Sequence, residues 1–236
     1  MNVLVIDTSA APLSIALLNE HAVLAETLIN SKKNHSIQAM PAIESMLQSV
    51  DLSPKDLTRI VVAKGPGSYT GVRIGVTLAK TLAWTLSIPL VAVSSLAALT
   101  GPGRYFNGFV CPVFNARRGQ AYTGLYTYKN QELVQVKEDM NGLMEDWLDE
   151  LIELDEKILF TGQDAAVFRE QIEAKLGDQA VFASLAENMP RAAELGLIGM
   201  QMEPGHVHDV VPNYIRMAEA ETKWLEQQKK ADSHEG

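Results

Sequence analysis

The sequence predicts an α/β protein of two tandem lobes, each a mixed sheet with helices laid against it. Three observations point there. The apolar runs read as three strands, helix, strand, helix, strand, helix, and then the same order begins again. Between the two passes stands Gly101-Pro102-Gly103, the strongest break in the chain. The 236 residues, 47% hydrophobic and 21% charged, suffice to bury a large core.

The first pass opens with Val3-Leu-Val-Ile-Asp7, a short β-branched run that reads as a buried strand. Runs at 13–18 and 22–29 follow across tight connections and complete a meander. Residues 35–50 have helical spacing, with Ala39, Met40, Ile43, Met46, Leu47 and Val50 on one broad face. Ser53-Pro54 opens a short turn, and 59–63 reads as a strand. The glycine-rich stretch from Gly65 to Gly71 then starts a helix over about 71–87, followed by a strand at 89–93. Ser94 and Ser95 could cap a short helix that ends at the Gly/Pro cluster.

The second pass places strands at 109–114, 120–129 and 132–137, with Lys129-Asn130 turning between the last two. A helix at 142–153, a strand at 157–161, a helix at 165–176, a strand at 179–182 and a helix at 191–202 follow. The likeness between passes is one of order rather than of residues, and it reads as a structural duplication. Two βββαβαβα lobes in tandem describe the actin-like, Hsp70-ATPase-like architecture. The expected division is 1–103 for the first lobe, 104–212 for the second and 231–236 for a flexible tail. A helix over 213–230 has two readings, a partner-docking element or a return onto the first lobe.

Composition excludes several classes. The N-terminus lacks a basic region, and Asp7 interrupts its apolar run, so no signal peptide is expected. No segment approaches the ~18 apolar residues of a membrane span. The single cysteine, Cys111, permits no internal disulfide, and a cytoplasmic home fits. A net charge of −9 argues against this chain gripping a nucleic-acid backbone unaided. A local basic patch at Arg117 and Arg118 is the exception.

Residues 65–75, Gly-Pro-Gly-Ser-Tyr-Thr-Gly-Val-Arg-Ile-Gly, carry a resemblance to the TsaB/YeaZ family, whose motif reads G-P-G-S-[FY]-T-G-[LV]-R-I-G. Three more segments agree in order: Asp7-Thr8-Ser9, Asn115-Ala-Arg117-Arg118-Gly-Gln120-Ala-Tyr122, and Pro212-Asn-Tyr214-Ile-Arg216. The structural residues this implies are Asp7, Gly65, Gly67, Ser68, Thr70, Gly71, Arg73, Arg117, Tyr214 and Arg216. Asn115 and Gln120 depart from the family's Asp and Glu and remove charge from the second lobe. The resemblance implies a non-catalytic subunit that dimerises with a catalytic paralogue, TsaD. That enzyme transfers threonylcarbamoyl to N6 of adenosine 37 in tRNAs reading ANN codons. A P-loop ATPase, TsaE, would join the assembly, tRNA would be met through the complex, and the chain alone would form a homodimer.

The resemblance also implies what is missing. The catalytic relatives carry N-H-x-x-x-H after the strand that closes the first lobe's core, two histidines on one helical face. Here Ser95 and Leu99 fall at those positions, and leucine cannot ligate a metal. No metal, cofactor or catalytic residue is therefore expected, with ATP or ADP held only in the complex. Kinases of this fold cradle phosphate in a glycine-containing hairpin after an Asp. Ala10-Ala11-Pro12 has neither the glycine nor, at Pro12, the N–H, and Thr161-Gly162-Gln163-Asp164 echoes a second phosphate loop only weakly. These absences disfavour the alternative of a small-molecule kinase. An M22-type metallopeptidase fares no better: His206-Val-His208-Asp209 lies in a loop outside the matching segments, and no Ser/His/Asp set can be ordered. The Gly65–Gly71 loop could hold an anion at a helix start, but a tight strand-to-helix turn capped by Ser68 and Thr70 explains it better.

The expected working surface is an interface. On the 71–87 helix, Arg73, Thr77, Lys80 and Trp84 share a stripe opposite the core-facing residues, at about 100° per residue. A tryptophan there suits an interface centre, unless a neighbouring loop or the tail covers it. Met40, Ile43 and Met46 on the 35–50 helix, whose apolar face is wider than one-sided packing needs, are expected to join it.

Overall fold

A computed structural model describes residues 1–31 and 34–215. It contains two five-stranded sheets. The first holds β1 (Val3–Asp7), β2 (Leu13–Leu18), β3 (Val23–Ile29), β4 (Arg59–Ala63) and β5 (Leu90–Val93), in the order β3-β2-β1-β4-β5. The second holds β6 (Phe109–Arg117), β7 (Gln120–Lys129), β8 (Glu132–Leu143), β9 (Ile158–Thr161) and β10 (Ala180–Phe182), in the order β10-β9-β6-β7-β8. Read from its own first strand, each sheet has the same pattern: an antiparallel meander of three strands, then two strands added in parallel on the other side. The duplication read from the order of elements is thus a duplication of topology.

The period of two along β1 divides the core. Leu4 and Ile6 point to the face covered by α1 (His35–Ser49) and α2 (Tyr69–Leu86), where they meet Ile43, Met46, Leu47, Val72, Val76 and Ala83. Val3 and Val5 point the other way, into a cluster that continues through Leu96–Leu99 to Val110, Phe114 and Tyr126 of the second sheet. The lobes therefore share one hydrophobic core. A third cluster, around Trp147 and Phe160, lies between the second sheet and the helices α3 (Met144–Ile152) and α4 (Arg169–Leu176).

Four expectations need correction. The sequence order puts the helix at 191–202 in the second lobe, but α5 (Ala192–Gln201) packs on the first sheet. Gly196 and Gly199 permit this, since a Cβ at either would lie within 2.8 Å of Val5, Leu18 or Val61. The short helix after Ser95 is two 3-10 turns, Ala97–Leu99 and Gly101–Gly103, because Pro102 and the glycines stop an α-helix from propagating. The strand at 132–137 extends to Leu143, because β8 pairs with β7 along its whole length. The helix at 165–176 splits into a 3-10 segment, Gln163–Phe168, and α4. The rest of the 213–230 helix and the 231–236 tail lie outside the described residues. No described helix is long and apolar enough to cross a membrane.

Candidate functional site: a motif junction and the α1–α2 face

The four motif segments meet at one end of the cleft between the lobes. Asp7 ends β1 and is fully buried; its Oδ1 accepts from Ser9 N (2.8 Å) and Ser9 Oγ (2.6 Å). Burial raises this carboxyl above its ordinary range, against the lowering effect of the Ser9 hydrogen bonds and of His35. Ser68 N donates to Ser9 O (2.7 Å) and Thr8 Oγ1 donates to Gly71 O (2.7 Å), so the start of α2 is fastened to the end of β1. Ser68 Oγ caps α2 by accepting from Gly71 N (3.2 Å), while Thr70 lines the cleft without capping. The glycines are demanded by proximity: a Cβ at Gly67 would lie 2.3 Å from Ser9 O, and one at Gly71 would lie 2.1 Å from Thr8 O. Gly65 has φ +99 and backs onto Asn213 O. These contacts favour the tight-turn reading of the loop over the anion-site reading.

Residues 203–215 return along α2 as a strap. Gly205 bridges to Leu90, and Asn213 N donates to Lys64 O (2.6 Å). Lys80 Nζ donates to the carbonyls of His208 (3.0 Å) and Val210 (2.8 Å). Arg73 Nε donates to Tyr214 Oη (2.6 Å), and its guanidinium lies 3.9 Å from the centre of the Tyr69 ring. The strap thus runs antiparallel to α2 and uses two of the four stripe residues. Arg216 falls beyond the described residues.

The cleft measures about 820 Å³. Ser9, Ser68, Thr70, Arg117, Arg118 and Asp164 are among its lining residues. Arg117 (φ 67), Arg118 (φ 54) and Gly119 (φ 74) form the β6–β7 hairpin tip. Asn115 holds the tip: its Oδ1 accepts from Arg117 N, and its own N–H reaches Asp164 Oδ2, both at 2.8 Å.

Where the catalytic relatives would place imidazoles, the chain is closed. Ser95 is buried, accepts from Gly65 N (3.0 Å) and donates its own N–H to Gly65 O (3.1 Å). Leu99 is buried in the shared core. Among the described residues no three His, Cys, Asp or Glu side chains are grouped to hold a metal. His206 and His208 stand with ring centres 5.4 Å apart in the strap. Cys111 is buried between Thr123 and Trp147, and burial pushes its thiol up to about 11, which leaves it unreactive.

The interface stripe is rearranged. Trp84 is 70% exposed, with no loop of the described residues over it; Thr77 is exposed, and Met40 is 44% exposed. Ile43 (3%) and Met46 (4%) are not available to a partner; they face the first sheet, because Ala39, Ile43, Met46 and Leu47 are the side of α1 turned inward. Ile37, outside the expected set, is 73% exposed. It lies one turn before Met40 on the outer side, and that i, i+3 pair was its only signal. The face is nearly uncharged: α1 carries one carboxylate, Glu44, and both cations of α2, Arg73 and Lys80, hold the strap.

The family model described as TsaD, tRNA N6-adenosine threonylcarbamoyltransferase, matches residues 22–224, which sets the class: a chain on the threonylcarbamoyltransferase scaffold. Among curated relatives, the tRNA threonylcarbamoyladenosine biosynthesis protein TsaB of Bacillus subtilis is 54% identical over 97% of this chain and 100% of its own. The chain belongs to the TsaB family. Two solved Pseudomonas aeruginosa structures share its fold. One is described as an uncharacterized protein with similarity to peptidase YEAZ (TM-score 0.77, 23% identity, 91% of this chain and 99% of that one). The other is YeaZ (TM-score 0.75, 24% identity, 90% and 99%).

Proposed function

We propose that this chain is a non-catalytic subunit of the machinery that forms N6-threonylcarbamoyladenosine in tRNA, and that it works by docking its α1–α2 face onto a TsaD-type catalytic paralogue. One observation carries the reading: Ile37 and Met40 of α1 and Trp84 of α2 stand exposed, while the two cations of α2 are committed to the strap. Charge depletion with exposed aromatic and aliphatic residues is the composition of an interface core. The closure of the Ser95–Leu99 segment supports the absence of chemistry, since burial leaves no open coordination site there. The same face would serve a second copy when the paralogue is absent. A TsaE-type P-loop ATPase completes the assembly, ATP or ADP is held only within it, and tRNA is met through the partner.

The test is reconstitution of tRNA modification from purified partner proteins with and without this chain. Modification that depends on the chain, and disappears with Ile37→Glu/Trp84→Ala, is the expected result. Full modification in its absence, or turnover by the chain alone, refutes the proposal.

A further inference from the structure

The joint between the lobes is organised around one carboxylate. Asp139, on β8 of the second lobe, accepts at Oδ2 from Ser94 Oγ, which follows β5 in the first lobe. Its Oδ1 accepts from Tyr126 Oη on β7 and from Gln135 Nε2 (3.1 Å). The Ser94 hydroxyl also accepts from Leu96 N (3.1 Å), so the same group that reaches across the joint starts the buried turn of Leu96–Leu99. Gly124 makes room for the carboxylate: a Cβ there would lie 2.8 Å from Asp139 Oδ1. Burial and the Asp139 charge both keep the Tyr126 phenol protonated, so it remains a donor.

Other bonds flank this centre. Thr100 Oγ1 and Tyr128 Oη lie 3.1 Å apart across the joint, and Arg104, paired with Glu194, stands over the Tyr128 ring. Arg191 pairs with Glu26, and Ala192 N donates to Ser14 Oγ (2.8 Å), so the chain leaving the second lobe is fastened to the first sheet. Beneath them runs the continuous core through Val93, Leu96, Leu99, Val110, Phe114 and Tyr126.

We infer that the Ser94–Asp139–Tyr126 triad is an inter-lobe latch that fixes the width of the cleft, so that the two lobes move as one rigid body. Hydrogen bonds to a charged acceptor are the strong ones, and a partly buried acceptor with donors from both lobes ties the two sheets together directionally, which apolar packing does not. Asp139 lies far along the chain from the α1–α2 face, and the latch holds whether or not that face docks a partner.

Spin labels on opposite cleft walls, at Thr70→Cys and Gln163→Cys in the full chain, report the width directly. The buried Cys111 stays unlabelled in the folded protein. With the latch intact, one narrow distance distribution is expected. Asp139→Ala is expected to broaden it or add a longer-distance population, and to speed amide exchange at Leu96–Thr100 about tenfold or more. Should Asp139→Ala fail to fold, Ser94→Ala decides the matter by the distance distribution, since it removes both the cross-joint donor and the acceptor of Leu96 N. A distance distribution unchanged from the parent in folded Ser94→Ala, and in Asp139→Ala if it folds, overturns the inference.

Discussion

Removing the Trp84 side chain tests the docking surface most directly, because the side chain supports little else. A tryptophan withdraws about 150–250 Å² from solvent when buried. Since it is 70% exposed in the free chain, about 140 Å² remains for a partner to cover, worth about 3.5 kcal/mol at ~25 cal/mol per Å². Alanine retains a methyl group and coverage at an interface is incomplete, so Trp84→Ala should cost about 2–3 kcal/mol of binding. That corresponds to a partner Kd weakened about 30- to 150-fold. The same substitution should change folding stability by no more than ~0.5 kcal/mol, as at other exposed sites. Titration calorimetry with the TsaD-type partner gives the first quantity, and urea unfolding of the free chain gives the second. A Kd within threefold of the parent, with folding unchanged, would refute the placement of the interface. A large loss of stability instead would mean that Trp84 belongs to the fold.

Met46→Ala, by contrast, should destabilise the chain by about 2–4 kcal/mol in urea unfolding, because Met46 is buried against the first sheet, while the fraction that remains folded still binds the partner. Asp7 should give a signed pH effect. Its folded pKa lies above the unfolded value of 3.8, so stability falls as pH rises from 3.8 through the folded value, and the penalty of the buried charge persists above it. The stability of Asp7→Asn relative to the parent should accordingly grow between pH 4 and 7; a gap that stays flat or shrinks counts against a strained carboxylate. Cys111 should resist thiol reagents at pH 8 in the folded chain and react promptly in denaturant, since its thiol is buried and titrates only near 11.

Much of this structure was legible because each local signal had a single physical solution. The run Val3–Asp7 is too short for a helix and too apolar for a loop, and Gly65–Gly71 admits only a turn in which backbones touch. What stayed hidden depended on partners distant in sequence. The period of α5 is the same whichever sheet it covers, so its crossing to the first lobe is written in the fit of Gly196 and Gly199 against Val5, Leu18 and Val61. The broad stripe of α1 showed that it is apolar without showing which edge is inside. The sequence therefore points Ile43 and Met46 outward, whereas they are buried and Ile37 is exposed. The end of β8 carries Glu138 and Asp139 with Asn141-Gly142, which resembles a loop until β7 supplies the ladder. At the site, the motif glycines were recognised, but not that Arg73 and Lys80 are occupied by the strap.

The crossing of α5 also governs how the protein can be made. One face of the first sheet is covered by residues that follow position 191. During synthesis the N-terminal half leaves the ribosome with that face incompletely covered, and exposed strand surface of this kind invites aggregation. That face can close only after the residues beyond position 191 have been made.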